Sequence, residues 1–256
     1  VFFVSVLIVP QTTGSSLEYQ SVIESDKKSM TIFPELVIFD CDGVLVDSEA
    51  LAARIVSQTL AAYNIMLNPQ DVANQFAGYT DDAIRDHFNK ISETKVPEDF
   101  AQIVERNTID QMAGALETLP FIKETLSTFE YPFCVASNSR TDRLDSALDT
   151  TGLGIFFPKE RRFSSSMVQY PKPAPDLHLM ACEMMKVKPE QALIIEDTVA
   201  GATGAKNAGI AVLGFVGAEH ITDKKAQGRK LMEAGAYAVF DDMRQLSMML
   251  KDYAVA

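Results

Sequence analysis

The chain has 256 residues, 47% hydrophobic and 23% charged, the composition of an ordinary globular protein with room for one or two domains. Its formal net charge of -12 excludes a nucleic-acid surface, which needs clustered Lys and Arg, but leaves phosphorylated small molecules open, because one lysine or a metal reverses a local field. Three cysteines, Cys41, Cys134 and Cys182, without a C-x-x-C spacing, indicate neither a disulfide framework nor a zinc site and point to a reducing, cytoplasmic setting.

The first stretch, VFFVSVLIVP, is apolar but only ten residues long, about half a membrane span. It has no basic region before it and no A-x-A-like site after it. Residues 1–29 are therefore expected to be an N-terminal extension outside the core, with the folded part starting at Met30, and no membrane partner is expected. The apolar run ELVIFD (35–40) is expected to be a buried strand. It leads into FDCDGVLVDSE (39–49), where Asp40 and Asp42 stand one residue apart at a strand tip and are followed by Gly43.

The next strand comes only after a long interval with apolar residues at helical spacing around 48–63, 80–91 and 98–115. That is too much chain for one crossover, so residues 50–118 are expected to be an inserted helical domain, flanked by core segments 30–49 and 119–256. His87 in this region reads as a helix-surface residue. Beyond it, PFCVAS (132–137) ends in Ser137-Asn138-Ser139. Lys172 sits in YPKPAPD, where three prolines stiffen the backbone. ALIIED (192–197) ends in Glu196-Asp197-Thr198. AVLGFVG (211–217) and YAVFDD (237–242) complete a set of five strands. Helical patterns at 142–151, 176–185 and 199–207 alternate with them, and His178 again reads as a helix-surface residue. The alternation predicts an α/β fold, a doubly wound parallel Rossmann-like sheet with an inserted α-helical cap.

Ligands of open α/β sheets bind at the carboxyl ends of the strands, so Asp40, Asp42, Ser137, Lys172, Glu196 and Asp197 are expected to converge. Two like charges about 4 Å apart cost about 4 kcal/mol even at an effective dielectric near 20. Four carboxylates around one crevice therefore call for a hard cation, and oxygen ligands with room for water suit Mg2+. Singly, each motif has a plainer explanation: Asp-x-Asp-Gly as a turn, Ser-Asn as a helix cap, Glu-Asp at a helix N-terminus. Cys134 to Arg140 also spells the C-x5-R pattern of cysteine phosphatases. It lacks the glycines such a loop needs, however, and its thiol lies in an apolar strand, so Cys134 and Cys41 are expected to be structural.

In order, D-x-D-G-V-L-V-D-S-E, S-N-S, K-P-x-P-D and EDTVAGATGAKNAG resemble the haloacid dehalogenase superfamily, in the branch with a helical cap after the first strand, over about residues 34–245. The resemblance implies Asp40 as the nucleophile that becomes an aspartyl phosphate and Asp42 as the acid and base. It implies Ser137, Asn138 and Lys172 as phosphoryl-binding groups. Asp40, the Asp42 carbonyl, Glu196 and Asp197 would be the Mg2+ ligands. Cap residues Arg54, Arg106 and Gly78 are candidate substrate contacts. Phe121 stands where the family commonly has Gly, which puts the second hinge in question. Dehalogenases lack the second aspartate. β-Phosphoglucomutases place a histidine at the position of Ala52 and an arginine at that of Asp81. The resemblance thus implies a phosphatase of a small phosphorylated sugar or sugar acid, such as 6-phosphogluconate, with a monomer favoured. A phosphoglucomutase-like mutase and a catalytically silent phosphate-binding protein are the alternatives.

Overall fold

The computed structural model describes residues 34–76, 81–112 and 114–251. The expected extension 1–29, Met30 and Gly78 lie outside them. Six parallel strands, β1 (Leu36–Phe39), β2 (Phe133–Ser137), β3 (Arg162–Ser164), β4 (Ala192–Glu196), β5 (Ala211–Phe215) and β6 (Ala238–Phe240), form one sheet in the order β3-β2-β1-β4-β5-β6. This is the doubly wound order, whose crevice opens where the winding reverses beside β1.

β1 has no exposed residue because it is central and covered on both faces, which is why it reads as an unbroken apolar run. Its side chains alternate. Val37 and Phe39 join one core with Val135, Leu193 and Ile195, and Leu36 and Ile38 join another with Cys134, Ala136 and Ile194. The Phe39 ring meets Phe129, Phe133 and Phe157 edge-on, with centroids 5.7, 6.1 and 6.2 Å away. Register does the rest. Phe39 stands opposite Val135 and Ile195, so Asp40 emerges level with the ends of β2 and β4.

Four helices, α1 (Glu49–Ala61), α2 (Pro69–Phe76), α3 (Asp81–Ile91) and α4 (Phe100–Met112), are inserted after β1. Their buried residues, such as Ile55, Ile84, Phe100 and Val104, continue the Phe39-side core. The chain enters and leaves this cap side by side: Asp47 N donates to Glu117 O and Leu119 N to Leu45 O. Phe121 then adopts φ 64°, the left-handed conformation that explains why glycine is common there, and the Arg244 guanidinium covers its ring at 3.9 Å. The remaining helices are α5 (Ile122–Ser127), α6 (Thr141–Thr150), α7 (Asp176–Met185), α8 (Val199–Asn207), α9 (Lys224–Ala234) and α10 (Leu246–Lys251). Among the described residues no helix is long and apolar enough to cross a membrane.

Two expectations need correction. The sheet has a sixth strand, β3, at the edge. Its buried Arg162 is neutralised by Asp145 and Asp149 at 2.7 Å each and donates to Phe157 O. His178 is not on a surface. It is fully buried against Gly204, where a Cβ would stand 3.3 Å from the imidazole Cδ2.

Candidate active site

The ends of β1, β2 and β4 bring their polar residues to one cleft of about 1190 Å3 between the sheet and the cap. Its floor is anionic. Asp40, Glu196 and Asp197 are buried, and each offers an oxygen within 4.8 Å of the others. The Lys172 ammonium, also buried, lies 2.6 Å from Asp40 Oδ1 and 2.8 Å from Glu196 Oε2. Burial alone would depress it, but the two carboxylates hold it charged, above its ordinary range.

One lysine does not balance three carboxylates. Burial and the Glu196 charge push Asp40 up to about 8 despite Lys172, and burial with Glu196 and Asp40 pushes Asp197 well above the carboxylate range. Asp197 Oδ1 is buried without a hydrogen-bond partner. Three carboxylate oxygens with an unused acceptor and excess negative charge fit a divalent cation such as Mg2+.

The local sequence explains the precision. Gly43 has φ +79°, and a Cβ there would fall 2.0 Å from Asp197 Oδ2, so the turn after Asp42 needs glycine twice over. Thr198 caps α8 by accepting from Gly201 N and donates its own hydroxyl to Glu196 Oε1 at 2.6 Å. With Lys172 on Oε2, both Glu196 oxygens are engaged. Asn138 clamps the backbone of Lys172 from both sides, its Nδ2 donating to Lys172 O and its Oδ1 accepting from Lys172 N, 3.0 Å each.

Asp42 is set apart from this floor. Its Oδ1 accepts from Ser48 Oγ, its Oδ2 from Ser139 Oγ at 2.7 Å and Ser137 Oγ at 3.2 Å, and Arg143 Nη2 lies 3.6 Å from Oδ1. Burial would raise its pKa, but Arg143 and the three hydroxyls outweigh burial and hold Asp42 below the usual carboxylate range. The two aspartates thus sit in opposite environments, Asp40 in a crowded anionic floor whose charge a cation would relieve, Asp42 among hydroxyls and an arginine.

Asp40, Asp42, Ser137, Asn138, Lys172, Glu196 and Asp197 all line the cleft. Arg54 and Arg106 do not. Arg54 lies on the exposed 50–54–58 stripe of α1, and Arg106 sits two residues from buried Val104 and Thr108 and so on the opposite face of α4. Sequence reasoning missed Arg143, Ser48, Ser139, Thr198 and the cap acids Glu49 and Glu105. Arg143 had a usable signal. α6 starts four residues past the end of β2, so side chains of its first turn, which lean toward the helix N-terminus, face the strand tips. Cys134 and Cys41 are buried, and burial raises both thiols well above their ordinary range.

A profile of the haloacid dehalogenase-like hydrolases matches residues 37–215. The 6-phosphogluconate phosphatase of Escherichia coli (strain K12) is 30% identical over 187 residues, 73% of this chain and 84% of that protein. The crystal structure of a conserved haloacid dehalogenase-like protein of unknown function from Agrobacterium tumefaciens str. C58 is similar, with a TM-score of 0.75 and 30% identity over 85% of this chain and 98% of that one. A putative beta-phosphoglucomutase from Thermotoga maritima gives a TM-score of 0.70 and 26% identity over 85% and 99% of the two chains.

Proposed function

The chain belongs to the haloacid dehalogenase-like hydrolases and is a phosphoric monoester hydrolase, and on that premise we propose that it is a Mg2+-dependent phosphatase of a small phosphorylated sugar or sugar acid, acting through an aspartyl phosphate on Asp40. One observation carries this reading: Lys172 bridges Asp40 and Glu196 in a buried, carboxylate-rich floor, while Asp42 stands beside it in a separate hydroxyl-lined pocket.

In this reading Lys172 holds the Asp40 carboxylate in place for attack on phosphorus and neutralises charge on the transferring group. Ser137 Oγ, at the tip of β2, turns from Asp42 to a phosphoryl oxygen. Asn138 keeps the Lys172 loop in register. Asp42 gives a proton to the leaving oxygen and then takes one from the water that attacks the acyl phosphate. Asp40, the Asp42 carbonyl and Asp197 would hold the cation, with Glu196, kept in place by Lys172 and Thr198, joining them directly or through a water. A divalent cation bound there supplies further neutralisation of the phosphoryl charge.

Phosphate release from p-nitrophenyl phosphate tests the reading. It is expected to require Mg2+ and to vanish, together with any phosphoenzyme, in Asp40→Asn; Asp42→Asn is expected to slow it by about 10² to 10⁴-fold. Normal turnover by Asp40→Asn with loss in Cys134→Ser would move the chemistry to the cysteine. The likeness to a putative beta-phosphoglucomutase keeps a mutase as the second reading. Asp81, which lines the cleft, would repel the second phosphate of a bisphosphorylated intermediate. Free phosphate is therefore expected to exceed isomer when β-glucose 1-phosphate is supplied, and rapid formation of glucose 6-phosphate would favour the mutase.

A further inference from the structure

Beyond Asp42 the cleft is walled by charged side chains from both the sheet and the cap. Since Asp42 is the group placed next to the leaving oxygen, the rest of the leaving group lies against this wall. From the sheet side it presents Arg140 and Arg143; from the cap side it presents Glu49, Asp81 and Glu105.

The two arginines are already committed to acids. Arg140 Nε lies 3.3 Å from Glu105 Oε1, and Arg143 Nη2 lies 3.6 Å from Asp42. Glu49 and Asp81 are within electrostatic reach of Arg143, yet neither has an ion-pair partner of its own within 4.0 Å among the described residues. The wall therefore carries uncompensated negative charge, and burial raises Asp81 to about 6. Arg143 lines the cleft with a partly exposed guanidinium that makes no side-chain hydrogen bond among the described residues, its approach to Asp42 being 3.6 Å.

An unused donor beside unused acceptors selects the chemistry of what fits. A hydroxyl accepts from the cleft-facing part of the Arg143 guanidinium and donates to Asp81 or Glu49, using both lone pair and proton. A carboxylate only accepts, and it would stand against three acids. Resting on the phosphatase reading, we infer that the leaving group is an uncharged polyol or sugar whose hydroxyls bridge Arg143 to Asp81 and Glu49, and that a carboxylate at the end remote from the phosphate is selected against. The likeness to a 6-phosphogluconate phosphatase then extends to the reaction and not to the acid group of that substrate.

Two substrates of equal length separate these cases. 6-Phosphogluconate and glucitol 6-phosphate differ at the far carbon, carboxylate in one and hydroxymethyl in the other. With p-nitrophenyl phosphate as reference, kcat/KM is expected to favour glucitol 6-phosphate by about tenfold or more, since like charges brought together in a site are strongly disfavoured. In the double variant Glu49→Gln, Asp81→Asn the ratio, measured within that one protein, is expected to fall toward one. Turnover of the reference with equal or better use of 6-phosphogluconate would overturn the inference and leave the phosphatase standing. So would an unchanged ratio in the double variant. No phosphate release from any of the three would overturn the phosphatase reading itself, and the inference with it.

Discussion

Gly201 lies against the Glu196 carboxylate so closely that a Cβ on Gly201 would stand 2.0 Å from Glu196 Cδ. α8 thus omits a side chain at its third residue to make room for a strand-end acid, and the same helix start supplies the Thr198 hydroxyl that grips that acid.

Gly201→Ala tests what this close fit is for. By helix propensity alone alanine would stabilise α8 by about 1 kcal/mol. The added methyl must instead push Glu196 off Lys172 and Thr198. We expect a folded protein, by circular dichroism, whose activity or apparent Mg2+ affinity falls about 10 to 100-fold, the usual cost of disturbing groups that orient metal ligands. A wild-type Mg2+ titration curve would show that Glu196 moves without consequence.

The acid floor makes a prediction about stability that does not depend on turnover. A cation that binds only the folded form stabilises it by about 2.7 kcal/mol at a hundredfold excess over its Kd. Added Mg2+ is therefore expected to raise Tm, and a chelator to return it to the metal-free value. Asp197→Asn, which removes the carboxylate with the unpartnered oxygen, should abolish the Mg2+-induced rise. A rise of the same size in Asp197→Asn would place the cation elsewhere.

His178 gives a pH dependence with a definite sign. Burial, aided by the Lys172 charge, depresses its pKa from 6.5 to about 3. Between those values the unfolded chain binds a proton that the folded one does not, so folding stability falls as pH drops through 6.5 toward 3. His178→Leu removes this contribution. Its urea midpoint is expected to decline less between pH 7 and pH 5 than that of the wild type, and parallel declines would show that His178 is protonated in the folded state.

How much of this was legible in the sequence varies with the physics of each element. β1, β2, β4 and β5 were readable because central parallel strands are buried on both faces and leave runs without polar interruption. β3 was not, because its buried charge, Arg162, is neutralised by Asp145 and Asp149, which come from α6, more than ten residues away in sequence. The floor of the cleft was readable because its acids stand at strand tips in a recognisable order. Its wall was not. Arg143 looks like any charged residue of an amphipathic helix until β2 and α6 are placed, whereas Arg54 and Arg106 fell on solvent faces that helical spacing could have identified. His178 was misread because a histidine in a helix usually faces water, and only Gly204 opposite leaves room to bury it.

Arg143 and Asp42 provide the last test. Three hydroxyls, from Ser48, Ser137 and Ser139, fix the position of the Asp42 carboxylate and, together with the Arg143 charge, hold its pKa below the usual range. Arg143, at 3.6 Å, makes no hydrogen bond to the carboxylate, so its share of the pKa depression can be removed without removing the bonds that position Asp42. In the second half of the reaction Asp42 must be ionised to take a proton from water. Arg143→Met leaves the hydroxyls in place but removes the charge, so the Asp42 pKa rises and the acid limb of kcat moves to higher pH. The loss of kcat is expected to be larger at pH 5 than at pH 8. Arg143→Lys keeps a cation near Asp42 and should restore the wild-type limb even if it binds the sugar poorly and raises KM. A uniform loss at every pH, unrelieved by lysine, would mean that Arg143 serves only to pack α6 against the cap.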